Sequence, residues 1–448
     1  MPQKNIFVVG LDDFQRRQLS TTRHARDPRY AIHGLLPRDA LVHVDAISID
    51  GLLDDARRQL DAFPGSVDAI IAHWDFPTSA LVPILCAERG LPAPSLRGVV
   101  QCEHKYWSRL RQREVIPEYT PPFAVFDPFA DDPLADIDLD FPFWVKPVKG
   151  FSSLLGFRVD GPESFGRALD TIRGEIHRLG DPFADILARL DLPPAFAHTA
   201  TMCLAEAYLT GLELAHEGHV FEGEVRMHGT LDMVRHRETF HRYEHPSELP
   251  MTVWERVDVA GRRLLEHLRF DNGVFNAEYF WDPETDRIGL VEVNPRMSQS
   301  HTYLWDMVDG ASNHEIAIDV ALGERPRLHP GQGRHRKAAK AFYRAYAPGV
   351  VRRVPTPDEL ARVEADFPDC RVALRVEPGQ NLEALVDQDA YSFELAEIYV
   401  AADSRAALLE RCRAICGALS FEIERAGRLE APAPPAEQCP ACEEVAHG

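Results

Sequence analysis

The sequence predicts a chain of mixed class: a parallel α/β unit first, a central α+β region next, and a small α+β domain at the end. Three observations predict it. Short apolar runs alternate with helical stretches over the first hundred residues, prolines cluster between 117 and 142, and strand-type alternation marks 201–234 and 273–293. The expected divisions are 1–110, 111–330 and 331–430, with a Pro- and Ala-rich tail at 431–448 expected to be disordered.

The first unit opens on residues 5–10 (NIFVVG), an apolar run ending in glycine, as a buried parallel strand does. A helical stretch at 12–22, apolar runs at 31–36 and 40–49, a helix at 52–63 and a buried strand at 68–72 follow. The first turn, Gly10-Leu11-Asp12-Asp13, lacks a G-x-G-x-x-G fingerprint, so no dinucleotide site is assigned. The proline cluster, with an acidic run at 131–140, reads as a connection. Beyond it come a strand at 143–148, a helix near 163–179, strands over 201–234, a helix at 253–268, and strands at 273–281 and 288–293 joined by the turn 282–286. Strand-like runs near 342, 372, 393 and 398 and a helix at 404–419 complete the third region.

Composition excludes several classes. Hydrophobic residues make up 45% of 448, ordinary for a globular chain of two or three subdomains. With 49 basic against 70 acidic residues the formal charge is −21, which disfavours nucleic acid and anionic membranes as partners. The eight cysteines are scattered, and neither a signal-peptide core nor an apolar stretch of about 18 residues is present. A cytoplasmic protein with reduced thiols is expected.

The most informative segment is 273–301, GVFNAEYFWDPETDRIGLVEVNPRMSQSH. Side chains alternate along a strand, so Glu292 and Asn294 share a face, with Val291 and Val293 on the other. The paired strand brings Glu278 alongside. Hard oxygen donors on one face of an otherwise apolar hairpin call for a cation, and magnesium fits a site with few carboxylates. Arg296, two residues beyond Asn294, can meet negative charge at the same site. Upstream, Lys146 ends the apolar run FPFWVKP, and a lysine there needs an anion such as phosphate.

The E-x-N-P-R run with an upstream glutamate in G-x-F-x-x-E resembles the metal-binding signature of the ATP-grasp superfamily, especially its biotin-carboxylase-like and L-amino-acid-ligase branches. The resemblance implies an ATP-grasp fold, with 1–110 as the pre-ATP-grasp domain and a lid at about 143–214. It implies ATP and two magnesium ions held by Glu278, Glu292 and Asn294, with manganese able to substitute. Lys105 resembles the first ATP-binding lysine of the family, and Lys146 the second. The loop from Lys149 to Phe157 stands where the family has a glycine-rich phosphate loop, with Gly150, Ser152 and Ser153 as its small residues; it is poorer in glycine than the family's. In CLAEAYLTGLE, at 203–213, the resemblance implies that the backbone around Glu206, Ala207 and Leu209 meets the adenine edge, and that Glu213 accepts the ribose hydroxyls.

Residues 224–249 are dense in Arg and His against the acidic trend of the chain. In an ATP-grasp frame Arg226, Arg235, Arg237 and Arg242 are candidates to bind a substrate carboxylate, and Ser300 and His301 to line the same pocket. His216, His219 and His228 have no compact zinc spacing, and Cys439-x-x-Cys442 is a single pair without a partner pair.

The expected activity is a carboxylate–amine ligase of the amino-acid or dipeptide type. It activates the acid as an acyl phosphate and releases ADP and phosphate, with Arg296 and Lys146 as the catalytic cations. Small-molecule acids and amines are its expected partners, and a homodimer is compatible with the resemblance. Two alternatives remain open: a biotin-carboxylase-like enzyme making carboxyphosphate, and a nucleotide-binding module without turnover.

Overall fold

Strand Lys4–Val9 pairs in parallel with Tyr30–Leu35 on one side and Ala69–Ala72 on the other, giving a three-stranded sheet in the parallel α/β unit expected at the start of the chain. The computed structural model describes residues 2–432 except 43–45, 152–153, 197, 237, 386–388 and 426. Alternation decides the packing of this sheet. Phe7, Val9 and Ile70 face the helices Ile49–Ala62 and Thr78–Arg89, while Ile6, Val8 and Ile71 meet Leu19 and Ile318. The apolar run at 40–49 forms no strand among its described residues. Ile49 instead opens a helix capped by Ser48, whose side chain accepts from Gly51 N–H.

By their internal contacts the residues form two units, Met1–Gly229 with Leu249–Gln299 and Ser312–Leu328, and Thr230–Glu248 with Ser300–Ala311 and His329–Gly448. In the first unit an antiparallel sheet runs in the order Phe123–Phe126, Cys203–Ala207, Phe143–Pro147, Phe157–Val159. One face of it buries Phe143, Val145 and Ala205 against Phe165, Leu169 and Ile172 of the helix Pro162–Glu175. The other face carries Lys146 and Glu206. The expected helix near 163–179 is in fact two. The second, His177–Leu187, packs Leu179, Phe183 and Ile186 into the core of the leading sheet rather than onto the lid sheet. Strands Leu212–Phe221, Gly273–Asp282 and Arg287–Asn294 lie side by side, backed by the helix Met251–Leu268.

In the second unit Thr239–His245, Lys337–Ala345, Phe393–Ala402 and Arg371–Leu374 form an antiparallel sheet in that order. Ala339, Ala341, Ile398 and Val400 bury against Leu408, Cys412 and Ile415 of the helix Arg405–Ala418, capped by Ser404. No helix among the described residues is long and apolar enough to cross a membrane. Cys439 and Cys442, with the tail beyond residue 432, lie outside the described residues.

Candidate active site

Register puts the polar residues of three strands on one face. Glu278 stands opposite Glu292 on one side and Ala215 on the other, and Asn276 stands opposite Asn294 and Glu217. Phe280 stands opposite Glu213. Directly opposed residues of antiparallel strands point the same way, so Glu213, Glu217, Asn276, Glu278, Glu292 and Asn294 share a face. The reverse face, Leu214, Ala277, Tyr279 and Val293, is buried against the helix behind it. A register shift between Glu278 and Tyr279 sits beside the carboxylates, a common place for a bulge that re-aims a side chain.

Asn276 and Asn294 each donate an amide N–H to Glu278 Oε1, at 3.0 and 3.1 Å. Two carboxylates and an amide, all oxygen donors and opposed on neighbouring strands, fit a hard divalent cation. Glu278, Glu292 and Asn294 are the residues that would hold it.

Cations surround this face. Lys105 opens the helix Lys105–Val115; its Nζ lies 3.0 Å from Glu292 Oε2 and donates to Gly150 O at 2.7 Å. Burial alone would raise the Glu292 carboxyl, but the charges of Lys105 and Lys146 outweigh it and hold Glu292 below the usual carboxylate range. Lys146 Nζ lies 2.6 Å from Glu206 Oε2, and Arg109 grips the other oxygen of the same carboxylate. Burial lowers the Lys146 ammonium, with Glu206 opposing. Glu206, which burial would push up, is drawn down to about 2 by Arg109 and Lys146. Arg109 also donates to Val291 O at 2.8 Å, one residue before Glu292.

Arg296 departs from expectation in its partner. Its Nε and Nη2 donate to Asp75 Oδ2 at 3.1 and 2.5 Å, and Nη1 to Met297 O at 3.4 Å. Asp75 and Arg109 escaped the sequence reading because each is a single residue far along the chain from the motif it serves. Two signals were present. Asp75 follows a parallel strand at its carboxyl end, where open α/β sheets bind ligands. Arg109 lies one helical turn from Lys105.

Neither a protein-family model nor a curated protein matches the sequence. Solved structures do match the fold. An L-amino acid ligase from Bacillus licheniformis superposes with a TM-score of 0.71 at 17% identity, over 95% of this chain and 100% of that one. A carboxyaminoimidazole ribonucleotide synthase from Aspergillus clavatus, complexed with ATP, gives 0.64 at 15% identity over 93% and 98%. The biotin carboxylase domain of Hydrogenobacter thermophilus 2-oxoglutarate carboxylase, in complex with MgADP, ADP and bicarbonate, gives 0.59 at 15% identity over 94% and 91%. The chain has the ATP-grasp fold.

Within the ATP-grasp fold, the expected adenine side is partly committed to other partners. The Glu206 side chain serves Lys146 and Arg109, and its strand is paired on both sides. Ala207 N–H donates to Pro122 O at 2.9 Å, so it is not the donor to a base. Leu209 lies against Gly289, where an added Cβ would come 2.6 Å from Leu209 Cδ2. Glu213 is buried on the face that carries Glu278. Ser152 and Ser153 lie outside the described residues.

The described arginines of the basic stretch each have partners of their own. Exposed Arg226 pairs with Glu224, its Nε donating at 2.8 Å. Arg235 donates to Glu238 O at 2.8 Å and lies over the Phe240 ring, 4.1 Å from its centroid. Arg242 is buried and bonded to Glu244, which also accepts from Arg405 Nε at 2.9 Å. Arg237 lies outside the described residues. Ser300 accepts from Lys340 Nζ at 2.8 Å, and His301 sits edge-on to Tyr243, with ring centroids 5.1 Å apart. Tyr243 stands opposite Lys340, whereas Arg242 stands opposite Ala341, so the sheet puts Arg242 on the face away from Ser300 and His301. Strand alternation is the reason, since adjacent positions cannot share a face. His219 Nδ1 and His228 Nε2 are 2.6 Å apart, and burial holds His228 well below the usual range. Among the described residues His24, Asp319 and Glu324 also come within reach of one another, but their carboxylates already pair with Arg23 and Lys4.

Proposed function

We propose that the protein is an ATP- and magnesium-dependent ligase that activates a carboxylate as an acyl phosphate for attack by an amine. One observation carries the reading: Glu278 and Glu292 stand opposite each other, flanked by Asn294, on a half-buried face against which Lys105 pairs with Glu292. This is a donor set for a metal–triphosphate pair. The L-amino acid ligase among the similar folds supports a small amino acid as one substrate.

In this reading Lys105 and Lys146 bind phosphate oxygens, and away from bulk water such charge pairs are stronger than in it. Magnesium held by Glu278, Glu292 and Asn294 would neutralise the triphosphate. Arg296 stabilises charge as the substrate carboxylate oxygen attacks the γ-phosphorus and the bond to the ADP oxygen breaks. The amine then attacks the acyl carbon, phosphate leaves, and the amine loses its proton to solvent. Catalysis is positioning and electrostatics rather than acid–base chemistry. We further propose that about 143–214 acts as a lid and that Gly150, Leu209 and Glu213 line the nucleotide.

The bicarbonate-bound similar fold favours a second reading, activation of bicarbonate to carboxyphosphate. One screen separates the two. Purified protein with ATP and magnesium is assayed against pairs of amino acids and other acids and amines, and separately against bicarbonate. ADP and phosphate are expected only with an acid–amine pair. ADP release with bicarbonate alone supports the second reading, and AMP with pyrophosphate as primary products overturns both.

A further inference from the structure

We propose that Asp75 is a positioning residue that aims the guanidinium of Arg296 at the incoming carboxylate; this rests on the ligase reading above. Asp75 lies outside every motif segment, in the loop after strand Ala69–Ala72. Its Oδ2 takes Nε–H and one Nη2–H of Arg296, a side-on grip. Its Oδ1 accepts from Phe76 N–H at 2.9 Å and lies 3.7 Å from Lys149 Nζ, so both oxygens are held and the carboxylate cannot turn.

A guanidinium is planar and carries its five N–H groups in fixed directions. With one edge on Asp75, and Nη1 also donating to the neighbouring Met297 O at 3.4 Å, one N–H of each terminal nitrogen remains on the end-on edge, pointing away from Asp75. That edge is a bidentate fork for a second carboxylate. Arg296 follows Asn294 by two residues, so the fork stands at the end of the strand that carries Glu292 and Asn294.

The turn beyond Arg296 is itself fixed by other residues. Glu217 accepts from Ser298 N–H at 3.4 Å and from Asn313 Nδ2 at 3.2 Å, and Asn313 Nδ2 also donates to Ser298 O at 3.1 Å. Glu217 stands on the carboxylate face, opposite Asn276. With the backbone turn held and the guanidinium gripped by Asp75, the Arg296 fork has a fixed direction. A counter-ion that only neutralised an arginine would not need both of its own oxygens held.

The test is a double-mutant cycle. Asp75→Asn should lower kcat/KM for the carboxylate by about a hundredfold, as a misaimed catalytic group does, while ADP–magnesium affinity by calorimetry stays within about threefold. In an Arg296→Met background the same Asp75→Asn change should cost less than about twofold, because its effect passes through Arg296. Equal losses in both backgrounds would mean a general structural role and overturn the proposal. Arg296→Lys keeps a cation for Asp75 but removes the fork; it should lose the same activity with little change in melting, and full activity would overturn the idea even if Asp75→Asn fails to fold. A readout without turnover separates this proposal from the ligase reading. The Arg296 Nε–H should give a slowly exchanging NMR resonance that disappears in Asp75→Asn. If no acid supports ATP turnover, the ligase reading fails and this resonance alone decides; its persistence in Asp75→Asn overturns the aiming role.

Discussion

Glu206 carries two cations on one buried carboxylate, Lys146 at 2.6 Å and Arg109 on its other oxygen. Its carboxyl is drawn down to about 2, below the ordinary value of 4.5, despite burial. A depressed carboxylate contributes stability above its unfolded pKa and loses it as pH falls through its folded pKa. The wild type should therefore be more stable than Glu206→Gln at pH 7, with the difference shrinking from about pH 4.5 down to about 2. Denaturant melts across that range check it, and an undiminished gap at the acid end would assign the loss to packing instead. The sequence named Glu206 for its neighbourhood but not for this role. Alternation predicts only a face, and the partner Arg109 comes from a helix a hundred residues earlier.

At the scale of elements, the hairpin was legible because its whole argument sits in 29 residues: alternation, a turn and a compact E-x-N-x-R. Its observed strands differ from the expected ones by a residue or so at their ends. The helix His177–Leu187 was not legible as a separate element, because its apolar face fits the lid sheet or the leading core equally well by periodicity. Tertiary contact alone chooses. Gly211 is the other element-scale feature. It joins the strand of Glu206 to the strand of Glu213 at φ 106°, and an added Cβ would lie 2.2 Å from Trp281 O. That atom is backbone of a paired strand and cannot swing aside. Gly211→Ala should cost at least about 1 kcal/mol, read as a lower melting temperature. A variant that melts with the wild type would show that the chain relaxes at this joint.

At the scale of the molecule, Asp75, Lys105, Lys146, Glu206, Glu278, Glu292 and Arg296 all belong to one unit, although more than two hundred residues separate the first from the last. That convergence makes Glu292 the sharpest single test. Two carboxylates on one face suggest by themselves a repulsion that Glu292→Gln would relieve, so that stability would hold or rise. The geometry reverses the sign. Glu292 pairs with Lys105 at 3.0 Å and is held below the usual carboxylate range, so it is a stabilising charge at neutral pH. Glu292→Gln keeps the shape of the strand but leaves a half-buried ammonium short of its counter-ion, a change that is destabilising as a rule. Without metal the variant should melt below the wild type at pH 7. The gap should narrow as the pH falls below about 4.5, where the unfolded chain's carboxylate takes up a proton, and close further as the folded one does. With saturating magnesium and ATP, turnover should fall by about a hundredfold or more, since a nucleotide displaced by about 1 Å reacts that much more slowly. Wild-type turnover in Glu292→Gln would remove Glu292 from the metal site. Equal melting with lost turnover would keep it there and show instead that Lys105 finds its counter-charge in Asp75 or Glu206, the two other carboxylates whose charges act on it.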